Sequence, residues 1–378
     1  MNLNEFVTGI SNGTYDSKLK NLCGPNDRQL LRHRLRYISA AENFSRLYPE
    51  SGEISVFSAP GSIEICGSSL GSMLFAAVDR DIIAIVSLND DNIVRIKCDS
   101  GELVEAAADE VNSIISDRKD NSSVLDMLHN AAENYCAEIT GFNAYIHSDI
   151  PESGFVSASA ARKELIRTVV RALFCKESKS EAGVNGGFTL ICSNGEKEQE
   201  CSHISFDLSG AGYTLCVTEM DGKPETDTAV LINKVVRAFG AESIGDVTEA
   251  DFIKKLHELR KHCTDSELAA VLEHYTFSET AELAAEALST GDSVEFLRLL
   301  NGINKENLSP ECSLAVLLGR RESGGNGAVS VNSGNCVLAF LPNYLVDNYA
   351  AGIDRVFGFG KCQILSIRTA GSYELTAD

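Results

Sequence analysis

Between about residues 226 and 318 the chain carries a helical block, and strand-like segments stand on both sides of it. That order excludes a regular alternation of strand and helix and points to an α+β architecture. Within the block, Thr248-Glu249-Ala250-Asp251 and Thr264-Asp265-Ser266-Glu267 are capping-box signatures. In such a box a Thr hydroxyl and a carboxylate three residues on satisfy each other's backbone N–H groups at a helix start.

Before the block, residues 28 to 48 carry Leu30, Leu31, Leu35, Ile38 and Phe44 at roughly helical spacing. Strands are expected at 54–58, 82–87 and 93–98, with Asn89-Asp90-Asp91-Asn92 as a hairpin turn between the last two. A helix near 122–139 leads to a strand at 142–147, and a short loop then opens a helix from about Ser159 to Phe174. Strands follow at 187–191 and 213–218. After the helical block come a strand at 336–340, a helix at 343–356 and a final strand at 363–368. A boundary near 210 divides this pattern into an N-terminal domain, 1 to 209, and a C-terminal domain, 210 to 378.

The formal charge of -21, from 54 acidic and 33 basic residues, sets the chain against nucleic acid and anionic lipid. Both need clustered Lys and Arg. One local basic run, Arg28, Arg32, His33, Arg34 and Arg36, reads as a solvated helix face. The 12 cysteines include no CxxC, and the nearest pair in sequence, Cys192 and Cys201, is too widely spaced for a zinc knuckle. The seven histidines have no metal-binding spacing, so a metal site of side chains is not expected. No apolar run is long enough to span a membrane, and the polar start Met1-Asn2-Leu3-Asn4-Glu5-Phe6 is unlike a signal peptide. A cytoplasmic protein with reduced thiols is expected.

Three small-residue loops remain. Ser58-Ala59-Pro60-Gly61-Ser62-Ile63-Glu64-Ile65-Cys66-Gly67 ends a strand. Pro151-Glu152-Ser153-Gly154-Phe155-Val156-Ser157-Ala158-Ser159-Ala160-Ala161 opens a helix, where backbone N–H groups and the helix dipole can meet a phosphate. Gly324-Gly325-Asn326-Gly327 through Asn332-Ser333-Gly334-Asn335-Cys336 precedes a strand. In order and surroundings these loops resemble the galactokinases of the GHMP kinase superfamily. That family shows an Ala-Pro-Gly-Arg stretch, then Pro-x-Gly-x-Gly-Leu-Ser-Ser-Ser-Ala-Ala, then Gly-Gly-Gly-Phe-Ala-Gly. Ala76-Ala77-Val78-Asp79-Arg80-Asp81, Phe340-Leu341-Pro342, Val356-Phe357-Gly358 and Ser366-Ile367-Arg368 extend the likeness from about Phe57 to Glu374. The resemblance implies a two-domain fold, with a ribosomal-protein-like N-terminal half and a ferredoxin-like C-terminal half. It also implies a sugar kinase using Mg-ATP.

The site segments depart from that pattern. Ser62 stands at the family's Arg, and Ser68-Ser69-Leu70-Gly71 replaces a longer segment carrying His and Asp. A sugar site without those partners loses affinity and discrimination. Glu64 remains as the candidate sugar contact. Ser153 and Phe155 replace two phosphate-loop glycines, Ala158 replaces a serine, and Glu152 adds a negative charge. Gly154, Ser157 and Ser159 are the candidate nucleotide contacts, Ser159 at the family's magnesium-linked hydroxyl. Between Phe174 and Gly186 no Asp is present to serve as catalytic base, and only Glu177 and Glu181 offer carboxylates. Loops can shorten at little cost to stability, so the scaffold can outlast the site. The expected function is a catalytically inactive, galactokinase-like binding or regulatory protein in sugar metabolism, with no catalytic residue assigned and no cofactor unless Mg-ATP is still held. The alternative is a divergent but active sugar kinase.

Overall fold

A computed structural model describes residues 1–24, 27–99, 101–113, 123–150, 154–175, 186–193, 199–220, 228–303, 308–332 and 336–377. Helices α1 (Leu3–Asn12), α2 (Asp16–Cys23) and α3 (Asp27–Leu47) precede strands β1 (Ser55–Gly67), β2 (Ser72–Leu88), β3 (Ile93–Cys98) and β4 (Leu103–Ala107). Then come α4 (Ala108–Ser113), α5 (Val124–Tyr135), β5 (Phe142–Ser148) and α6 (Ala158–Phe174). Strands β6 (Phe188–Ser193), β7 (Gln199–Ile204) and β8 (Tyr213–Glu219) lead into α7 (Thr228–Phe239), α8 (Glu249–Leu259), α9 (Asp265–Ser289), α10 (Ser293–Asn301) and α11 (Pro310–Glu322). The chain finishes with β9 (Ala328–Val331), β10 (Cys336–Pro342), α12 (Val346–Phe357), β11 (Cys362–Leu365) and β12 (Tyr373–Glu374). The mixed α+β order and the helical block stand as expected. Thr264 forms a full capping box, its Oγ1 accepting from Glu267 N at 3.3 Å while Glu267 Oε2 accepts from Thr264 N at 2.8 Å. Thr248 caps α8 through Asp251 N at 3.2 Å, but Asp251 Oδ2 accepts from the Thr248 hydroxyl and not from its backbone, so the reciprocal half of that box is not made. No helix among the described residues is long and apolar enough to cross a membrane.

The chain packs as two compact units that interleave along the sequence. One comprises 1–62, 77–186 and 368–378; the other comprises 63–76 and 187–367. Residue 210 lies within the second unit, in the turn before β8.

In the first unit the strands run β12-β1-β2-β5-β3-β4. The expected hairpin across Asn89–Asn92 does not form, because β5 lies between its two arms. β2 pairs antiparallel with β5 from Ile82↔Ser148 to Leu88↔Phe142, and β3 pairs parallel with β5 from Val94↔Phe142. The turn is built for that insertion. Asn92 takes a left-handed φ of 58°, and Asn89 N donates to Gly141 O at 3.0 Å. Helices α1 to α3 bury Phe6, Ile10, Leu19, Tyr37 and Phe44 with Val56, Ile83 and Leu375. In α3, Leu30 joins this core, whereas Leu31 and Leu35 are more than half exposed.

Beyond Arg28, which is exposed, the basic run of α3 is not a solvated face. His33 is fully buried, and Arg36 Nη1 stands 2.6 Å from Asp81 Oδ1. Ser58 Oγ donates to Asp81 Oδ2 at 2.6 Å, and Arg368 Nη1 reaches Ser58 Oγ at 2.8 Å and Asp81 Oδ2 at 3.4 Å. Arg32, Arg36 and Arg80 share Asp149, and Arg34 grips Asp16. A buried carboxylate needs such pairing, because burial of a lone charge is prohibitive.

In the second unit Ser72–Ala76 of β2 pair antiparallel with β6, and β6 with β7. A separate antiparallel sheet runs β11-β8-β10-β9. Phe188, Phe296 and Phe340 link β6, α10 and β10 through edge-on rings with centroids 5.9 and 5.3 Å apart. Such pairs add about 0.5–1.5 kcal/mol each beyond area burial. The final strand stops at Leu365, short of the expected Arg368, whose guanidinium instead enters the network around Asp81.

Candidate functional site

Three of the candidate residues sit at the start of α6. Ser157 is its N-cap, with Oγ accepting from Ala160 N at 3.4 Å, so the serine spends its hydroxyl on its own helix. Its backbone N donates to Ser62 O at 2.9 Å, an antiparallel bridge that stitches the loop to β1. Val156 is buried beside Gly61, where an added Cβ would collide with the Val156 side chain and come within 2.9 Å of Arg80 O. Gly61 is therefore kept for close packing. Gly154 and Ser159 are exposed, and the Ser159 hydroxyl makes no side-chain hydrogen bond among the described residues. The first turn of α6 has no acidic residue, so the positive end of its dipole is not cancelled locally. Pro151, Glu152 and Ser153 lie outside the described residues, as do Glu177 and Glu181 and the Ser333–Asn335 part of the third loop.

Glu64 belongs to the other unit, on the later half of β1. It is half-buried, and its carbonyl accepts from Asn332 Nδ2 at 3.3 Å. Asn332 Oδ1 in turn takes Cys336 N at 3.1 Å, so this asparagine of the third loop acts as a backbone clamp.

Residues 67–72 form a closed turn in the same unit as Glu64. Ser68 N donates to Ser72 O at 3.0 Å and Gly71 N to Ser68 O at 2.9 Å. Helix α9 then takes up the turn's side chains. Ser68 Oγ and His274 Nδ1 share a hydrogen bond of 2.8 Å, and Ser72 Oγ donates to Glu282 Oε1 at 2.6 Å. A Cβ on Gly71 would collide with Ser278 and stand 2.9 Å from His274 Cε1. Burial lowers the pKa of His274 and favours the neutral ring that this pairing uses. Sequence reasoning saw only that the segment is short; nothing local signals that α9, some two hundred residues later, binds it.

The exposed Ser159 hydroxyl and the N-terminal turn of α6 are the described groups that could meet the phosphates of Mg-ATP. Ser159 Oγ is the one uncommitted hydroxyl among the three candidates on α6. Among the described residues no group of three or more His, Cys, Asp or Glu side chains is placed to hold a metal ion.

No protein-family model matches the chain. A galactokinase of Fusobacterium nucleatum subsp. nucleatum is 21% identical over 374 residues, covering 84% of this chain and 92% of that protein. A galactokinase of Actinobacillus pleuropneumoniae serotype 3 is 24% identical over 354 residues, covering 82% and 90%. Lactococcus lactis galactokinase, solved in complex with galactose, superposes with a TM-score of 0.63 at 16% identity, covering 88% of this chain and 98% of that one. This chain is a relative of the galactokinases. A mevalonate kinase structure shares the fold at a TM-score of 0.52 and 14% identity, so the architecture is that of the GHMP kinases. The galactokinase relative thus keeps the frame over nearly its whole length, while its 67–72 turn has its side chains bound to α9.

Proposed function

We propose that this galactokinase relative has lost sugar phosphotransfer and works as a binding or regulatory protein in sugar metabolism. The observation that carries the reading is the closed 67–72 turn, whose Ser68 and Ser72 hydroxyls are spent on His274 and Glu282. A hexose is recognised through hydrogen bonds to its hydroxyls, and groups already paired inside the protein are not available for that. Ser62 at the family's Arg position and the lack of Asp between Phe174 and Gly186 support the same reading. Fold alone does not carry an activity.

A coupled assay with Mg-ATP and a panel of hexoses tests it directly. Turnover above about 1 s⁻¹, the low end for kinases, would sink the proposal.

A second reading, a divergent but active sugar kinase, is favoured by one feature, the exposed Ser159 on an α6 N-terminus free of acidic residues in its first turn. It requires nucleotide binding, and a ligand that binds only the folded state raises the melting temperature. An unchanged melting temperature at millimolar Mg-ATP removes it.

A further inference from the structure

The first unit holds a cavity of about 670 Å³ between α1, the α1–α2 turn and the end of α3. Its volume lies within the range of small-molecule sites, about 300–1,000 Å³. The half-buried Tyr48 ring forms its aromatic floor, backed by the buried Phe44 with ring centroids 5.2 Å apart and planes tilted by 58°. Around that floor stand Asn4, Thr8, Ser45 and Ser51. None of these four makes a side-chain hydrogen bond among the described residues, and Ser51 Oγ is buried without a partner. Other short polar side chains of the same lining are spent. Asn2 caps α1, and Asn12 Oδ1 accepts from both Thr14 N and Thr14 Oγ1.

Unspent hydroxyls and an amide beside an aromatic ring select a particular ligand chemistry. Hydroxyl and amide groups both donate and accept, so the matching ligand does the same. The aromatic floor asks for an apolar face of C–H groups. The lining carries one charge of each sign, the Met1 ammonium and the Glu5 carboxylate, so it matches a ligand without net charge. From this convergence we infer that the cavity is a binding site for a neutral polyhydroxylated molecule, of the class of monosaccharides, disaccharides and cyclic polyols. It is built wholly within the first unit, whereas Glu64 lies in the second. The inference does not depend on whether phosphotransfer survives.

The test is titration of the intact chain with galactose, glucose, lactose and myo-inositol, followed by amide chemical shifts. Binding of one of them in the millimolar range is expected, with shifts at residues of α1 and of the α3 end. Thr8→Val and Ser45→Ala each remove one hydroxyl without adding bulk, and each is expected to weaken binding about tenfold, the worth of one hydrogen bond. Glu64→Gln is expected to leave the affinity unchanged. The proposal is overturned if none of the four produces shifts at about 50 mM, far above a millimolar dissociation constant. It is equally overturned if the double variant, Thr8→Val with Ser45→Ala, binds as tightly as the parent, or if Glu64→Gln abolishes binding. A kinase assay reports on phosphotransfer separately, so the two readings fail by different experiments.

Discussion

Asp81 Oδ1 accepts a hydrogen bond from Arg36 Nη1 at 2.6 Å, with the carboxylate wholly withdrawn from solvent. Arg368, near the other end of the chain, approaches the second oxygen at 3.4 Å. Asp81→Asn would leave two guanidiniums in the interior without their counter-charge. Breaking a buried pair in this way costs about 3–5 kcal/mol. Burial alone raises a carboxyl pKa, but Arg36, Arg368 and the Ser58 hydroxyl outweigh it and hold Asp81 well below the usual range. A depressed carboxylate stabilises the fold above its unfolded pKa, about 3.9, and the stabilisation is lost as pH falls below it. Urea midpoints should therefore drop for Asp81→Asn at neutral pH, and the gap to the parent should narrow toward pH 3.

His33 titrates in a different window. Burial pushes its imidazole down to about 4, and neither ring nitrogen has a hydrogen-bond partner among the described residues. Asp81 opposes that shift, while Arg36, Arg32 and Arg368 reinforce it. The unfolded chain takes up the proton near pH 6.5 and the folded chain does not, so stability falls as pH drops from 6.5 to about 4. The loss amounts to at most about 3 kcal/mol. His33→Leu should flatten this part of the profile, measured by urea unfolding at pH 7, 5.5 and 4.5. A slope as steep as the parent's would show that another group is responsible.

The contrast between local and distant signals explains what the sequence discloses. The helix starts at Thr248 and Thr264 were legible because each cap is made within four residues. The α+β order and the galactokinase likeness were legible because they follow chain order. The hairpin at Asn89–Asn92 was misread because its turn chemistry is satisfied just as well when β5 occupies the space between the arms. The arginines of α3 looked like a solvated face because Asp81 and Asp149 lie far away in sequence. Among the candidate site residues, Ser157 could be read as a cap, but its bond to Ser62 and the hold of α9 on the 67–72 turn are long-range pairings. No local pattern encodes them.

The 67–72 turn should be intolerant of added bulk. Gly67 has a φ of 130°, and a Cβ there would stand 2.6 Å from Met73 Cα and collide with Ser72 O. Both the backbone conformation and the space demand glycine. Gly67→Ala should cost at least about 2 kcal/mol, given strain of order 1–3 kcal/mol for such conformations. Thermal unfolding measures this, and a neutral substitution would show that the turn is not held as described.

Thiol chemistry offers an independent check on the fold. Cys136 and Cys201 are exposed, whereas Cys23, Cys66 and Cys336 are buried. Burial pushes Cys23 and Cys336 up to about 12 and raises Cys66 as well, so their thiolates are scarce at pH 8. An aromatic disulfide reagent should modify Cys136 and Cys201 in the native protein and reach the buried three only on unfolding. Peptide mapping of the labelled sites decides it, and native labelling of Cys66 at the rate of Cys136 would contradict the buried placement.

The turn between α12 and β11 separates packing from presentation. Phe359 is fully exposed between Gly358 and Gly360, both at left-handed φ. The Asp354 carboxylate holds the turn from below, accepting Gly360 N and Cys362 N at 2.8 Å each. Phe359→Ser removes no buried contact and should change stability by less than about 0.5 kcal/mol. Asp354→Ala leaves two backbone donors without their acceptor, one of them on a buried residue, and should cost about 1–3 kcal/mol. Denaturant titration of the two variants side by side gives the comparison, and a larger loss for Phe359→Ser than for Asp354→Ala would overturn the account of this turn.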